Sequence, residues 1–91
     1  MYTLKLTYGY VDDEPEMATV EILGTYETLD EACRAAASKF DAFLERIDDD
    51  ETRYRDIEES RYRYYVSYGY LELELGYVLE YYYYEVSIIE R

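Results

Sequence analysis

Residues 28–47 repeat their apolar side chains at helical spacing, whereas nearly every other apolar stretch of the chain alternates with a period of two. That division restricts the fold to one amphipathic helix set against strands. Thr28-Leu29-Asp30-Glu31 has the form of a capping box, so the helix is expected to start there. Leu29, Ala32, Cys33, Ala36, Phe40, Phe43, Leu44 and Ile47 follow at steps of three, one, three, four, three, one and three and make one continuous stripe for packing on a sheet. Asp30, Arg34, Ser38, Lys39, Asp41 and Glu45 fall on the wet side.

Before the helix, Tyr2, Leu4, Leu6 and Tyr8 alternate with Thr3, Lys5 and Thr7 and read as a strand with one buried face. Ala18, Val20 and Ile22 alternate with Thr19, Glu21 and Leu23, and the polar Val11–Glu16 link between the two segments holds the only proline, so they form a predicted hairpin. Residues 48–60 lose the pattern and are expected to be a long connection, with room for a helical turn anchored by Tyr54 and Ile57. Tyr62, Tyr64, Val66 and Tyr68 then alternate as a third strand, after which Gly69 shifts the phase and is expected to be a bulge or turn. Gly76 supplies a further turn before a last strand over 81–89, whose two faces are both rather apolar. The expected architecture is a single α+β domain over 1–91, β-β-α-β-β, with an antiparallel sheet of about four strands and the helix on one face. Leu6-Thr7-Tyr8-Gly9-Tyr10-Val11 is echoed by Val66-Ser67-Tyr68-Gly69-Tyr70-Leu71, and both copies are expected near hairpin tips.

Charge and chemistry narrow the function. Twenty-two acidic residues against nine basic ones give a formal net charge of -13 on 91 residues, with 15 tyrosines and no histidine. Without imidazole the chain lacks the commonest general base and metal ligand, and Cys33, on the apolar helix stripe, reads as packing rather than as a nucleophile. No enzymatic activity and no cofactor are expected. A single cysteine allows no intramolecular disulfide, and no long apolar run suggests a membrane span, so a cytoplasmic location is expected. Asp48, Asp50, Thr52, Asp56 and Glu59 match calcium-loop spacing, but Arg53 stands where such a loop needs glycine and Arg55 adds an opposing charge.

Arg53-Tyr54-Arg55 and Arg61-Tyr62-Arg63-Tyr64 interleave cations and rings as nucleic-acid surfaces do, yet Asp56, Glu58 and Glu59 lie between them. These arginines are expected to form ion pairs within the fold, and the overall charge opposes direct binding of a polyanion. The converse is a basic partner. Asp12, Asp13, Glu14 and Glu16 form one acidic cluster, Asp48, Asp49, Asp50 and Glu51 a second. Glu72 and Glu74 form a third, with carboxylates about 6–7 Å apart on an extended strand. Tyr10 and Tyr70 are the expected aromatic anchors beside them.

In size, in its lone Cys33, in acidic runs such as Asp48-Asp49-Asp50-Glu51 and in its compact strand-and-helix layout, the chain resembles the small acidic phage proteins that inhibit bacterial defence, including anti-CRISPR and anti-restriction DNA mimics. The resemblance implies a stoichiometric inhibitor that blocks a basic nucleic-acid-binding protein, such as a CRISPR effector or restriction enzyme, by steric occlusion. The alternative is a tyrosine-rich binding module whose acidity serves solubility, using Tyr65, Tyr81 and Tyr83 or pairing into a homodimer along the Tyr81–Tyr84 strand.

Overall fold

The computed structural model describes residues 1–47, 53–72 and 77–90, with backbone alone at 53, 54, 70–72 and 77–81. The strands are β1 (Tyr2–Tyr10), β2 (Thr19–Tyr26), β3 (Arg53–Ser60), β4 (Arg63–Glu72) and β5 (Tyr77–Glu90), and the helix α1 (Leu29–Ile47) follows β2. The protein is α+β, with one helix and a five-stranded antiparallel sheet in the order β2-β1-β5-β4-β3.

The helix begins where its cap places it. The Thr28 hydroxyl accepts from the Glu31 amide at 3.2 Å, and the Thr28 carbonyl accepts the first helical bond from Ala32. Ala32, Ala36, Phe40 and Ile47 are buried, with Leu29, Cys33, Phe43 and Leu44 packed partly against them, which is the stripe read from the sequence. They meet Leu4 and Leu6 of β1, Val66 of β4 and Tyr84, Val86 and Ile88 of β5. Cross-strand pairing sets this wall in rows, among them Leu6–Val86–Tyr64 and Tyr8–Tyr84–Val66, because residues in register share a face. The opposite face carries Lys5, Thr7, Ser67, Tyr65, Tyr83 and Glu85, and among the described residues no helix packs on it.

Several expectations are corrected. The stretch expected to be a connection with a helical turn contains a full strand, β3, joined to β4 by a hairpin in which Ser60 pairs with Arg63. Arg55 through Ser60 are all exposed, so neither face of β3 shows the alternation that marks a half-buried strand; pairing with β4 makes it. The sheet therefore has five strands in the order β-β-α-β-β-β.

The hairpin of β1 and β2 is present, but its apolar set faces outward. Val20 and Ile22 are 53% and 58% exposed on the open face, while Glu21 and Leu23 lie toward the helix. A bulge is responsible: Leu4 pairs with Gly24 and Lys5 with Ile22, leaving Leu23 as the extra residue.

Gly69 lies within β4, paired with Tyr54 and Tyr81, and the register shift comes after it, between Tyr70 and Leu71. The second Tyr-Gly-Tyr copy is therefore mid-strand rather than at a hairpin tip, while the first ends β1 as expected. The expected turn at Gly76 lies outside the described residues. The last strand is β5, at the centre of the sheet, with β1 and β4 bonded along its two sides. Its edge is consequently not free for the edge-to-edge dimer inferred from the Tyr81–Tyr84 run; the sheet edges are β2 and β3.

Candidate binding surface

Antiparallel topology brings the acidic 12–16 link and the Glu72 end of β4 toward one pole. β1 ends and β2 begins there, β4 runs outward to Glu72, β5 returns from Tyr77, and β3 starts at Arg53 opposite Tyr70. The C-terminal half of α1 points the same way, since Phe43 packs on Tyr68 and Tyr84 while Cys33, near the other end, reaches the β3–β4 turn. In the β1–β2 link, Asp12, Asp13, Glu14 and Glu16 are all exposed. A tight turn holds them, with the Asp13 amide donating to the Tyr10 carbonyl at 3.3 Å and the Met17 amide to the Glu14 carbonyl at 2.9 Å across a short 3-10 turn, Pro15–Met17. Proline at the start of that turn fixes φ and removes a donor that would have had no partner.

Tyr10 stands beside this cluster, 47% exposed. Its hydroxyl shares a 3.0 Å hydrogen bond with that of Tyr82, and the two rings lie 4.5 Å apart. Tyr82 in turn stacks on Tyr68 at 5.6 Å, so a row of three tyrosines crosses β1, β5 and β4. Such a row restricts each ring's rotation, which lowers the entropy lost when a partner packs on it. The other expected site residues are only partly visible: Glu72 and Tyr70 are placed by backbone alone, as the end of β4 and the partner of Arg53 and Glu80. Asp48, Asp49, Asp50, Glu51 and Glu74 lie outside the described residues.

The arginine reading is borne out at Arg63. On the open face Arg63 binds Glu85 at 2.6 Å and Glu58 at 3.3 Å, and its guanidinium lies 4.4 Å from the centre of the Tyr65 ring. The Glu85 hydrogen bond, chiefly, raises the Arg63 pKa against the opposing effect of desolvation. Tyr65 and Tyr83 stack beside it at 6.1 Å, off the core as expected.

A feature not read from the sequence lies under the C-terminal half of α1. Leu6, Tyr8, Glu21, Lys39, Phe43, Arg46, Tyr68 and Tyr84 line an open cleft of about 360 Å³ between helix and sheet. Burial raises the Tyr84 pKa, with Arg46 acting in the opposite sense and Glu21 adding to the rise. Lys39, Phe43 and Arg46 follow one another at helical steps of four and three, a signal present in the sequence but masked by assigning Lys39 to the solvated side. A second, wider depression of about 480 Å³ lies beside it, lined by Leu4, Leu23, Tyr26, Ala35, Ser38, Lys39 and Ala42.

Among the described residues no three cysteine or carboxylate groups converge as metal ligands, and no helix is long and apolar enough to cross a membrane. Comparison with protein-family models, with curated proteins and with solved structures gave no match.

Proposed function

We propose that the protein is a non-catalytic binder of a basic, nucleic-acid-binding protein and that it blocks its target by occupying the surface meant for the polyanion. The observation that carries this reading is the placement of exposed Asp12, Asp13, Glu14 and Glu16 beside the Tyr10–Tyr82–Tyr68 row, on a chain of net charge -13. Carboxylates at the pole attract a cationic groove over distance, and the tyrosines supply contact area once the surfaces meet. The charge exceeds the magnitude of about 2–8 that solubility of a small domain calls for. A phage-encoded inhibitor of a CRISPR effector or restriction enzyme is the form of this function that the sequence resemblance implies.

The open sheet face favours a second reading, a tyrosine-rich contact module, because stacked Tyr65 and Tyr83 share it with bare Val20 and Ile22. One experiment separates the two. A partner captured from bacterial lysate is tested for competition with duplex DNA at low and high salt, using the parent protein and the triple charge reversal Asp12→Lys, Asp13→Lys, Glu14→Lys. The polyanion-site reading expects mutual exclusion with DNA, steep salt dependence and slower association of the variant. Binding indifferent to salt, to DNA and to charge reversal sinks it and favours the aromatic face.

A further inference from the structure

The cleft under α1 differs in charge from the rest of the molecule. Among the described residues, two of the chain's nine basic residues, Lys39 and Arg46, line it together, against one carboxylate, Glu21. Neither cation forms an ion pair with a described residue. They stand two helical turns apart on one edge of α1, with Phe43 between them, so their long side chains can converge on a group placed over the cleft. Across from them stand the hydroxyl-bearing rings of Tyr8 and Tyr84, and Leu6 and Phe43 contribute an apolar floor. A volume of about 360 Å³ falls at the small end of the roughly 300–1,000 Å³ of small-molecule sites.

We propose that this cleft binds a mononucleotide-sized ligand, a phosphate joined to a flat ring, with Lys39 and Arg46 holding the phosphate. Two cations and flanking hydroxyls supply more donors than the two oxygens of a carboxylate can use, and they suit the several acceptor oxygens of a phosphate. Leu6 and the aromatic walls receive the ring, and Glu21 accepts from a hydroxyl or amino group of the same ligand. Burial keeps the Tyr84 hydroxyl protonated, and so a donor, beyond the usual tyrosine range. This inference does not depend on the protein-partner reading, because the cleft uses cations where the acidic pole uses carboxylates.

Adenosine monophosphate is the probe, titrated into the protein while backbone amide resonances are followed, with adenosine and inorganic phosphate as separate arms. The expected result is saturable shifts confined to the cleft-lining segments of β1, β2, β4, β5 and α1, with the monophosphate binding more tightly than either fragment. Lys39→Gln and Arg46→Gln should each weaken binding by about tenfold, as loss of a charge-assisted contact does. Both residues are exposed, so these variants should keep the parent's amide pattern elsewhere. Arg34→Gln, an exposed cation on α1 that does not line the cleft, should bind like the parent. Absence of shifts at millimolar monophosphate, equal binding of adenosine, or an Arg34→Gln loss as large as that of Lys39→Gln overturns the proposal.

Discussion

The two faces of this sheet use the same strands to different ends. On the covered face Leu4, Leu6, Val66, Val86 and Ile88 are buried beneath Phe40 and the rest of the helix stripe. On the open face the corresponding alternate positions carry Thr7, Tyr65, Tyr83, Arg63 and Glu85, where stacked rings and a bridging guanidinium take the place of a second layer. One face gains stability by removing apolar area from water, while the other relies on contacts that water and salt weaken. Antiparallel sheets tolerate this asymmetry because their backbone bonds are satisfied in the plane and one face can remain wet.

The largest effect that would break this comparison lies on the covered side. Phe40 is fully buried and packs on Tyr64 at 5.8 Å, so Phe40→Ala should destabilise by about 3–5 kcal/mol in chemical denaturation. A loss under about 1 kcal/mol would mean that the helix does not carry the core.

Tyr83→Ala tests the open side. Removing the ring that stacks on Tyr65 should lower stability by about 0.5–1.5 kcal/mol plus a small contribution from partial burial. A loss equal to that of Phe40→Ala would show that the open face is energetically a second core.

The third test is a pH dependence that vanishes at neutrality. Burial raises the pKa of Tyr84 on the covered face, and that of Tyr64, from a usual value of 10.0. The folded state therefore holds these protons more tightly than the unfolded chain does. Their contribution is fully present below pH 10 and declines as pH rises through the folded-state values, so stability should fall on the alkaline side. Tyr84→Phe should flatten part of that decline in denaturation midpoints measured from about pH 8 upward. An unchanged alkaline slope in Tyr84→Phe would remove the buried hydroxyl from the account.

The acidic pole and the cleft show unequal legibility in the sequence. Asp12, Asp13, Glu14 and Glu16 were recognisable because a polar run with a proline between two alternating segments can only be an exposed link. That Tyr10 joins Tyr82 and Tyr68 in one row could not be read, since the row needs the register of Tyr10 against Tyr82, 72 positions away, as well as that of Tyr68 against Tyr82. Lys39 and Arg46 were visible as helix positions, but Glu21 reaches the cleft only through the register that the β2 bulge adjusts.

By itself the sequence determined the helix and its buried stripe, the strand face of Leu4 and Leu6, and the exposure of the β1–β2 link. Each of these is a local pattern: a capping hydroxyl, a repeat near 3.6 or 2, a turn residue. Only the tertiary structure decided that Arg53–Ser60 is a strand, that Val20 and Ile22 face outward, and that β5 lies between β1 and β4. The reason is physical: an edge strand takes its hydrogen bonds from a neighbour and needs no apolar alternation, and one extra residue in a ladder reverses the faces beyond it.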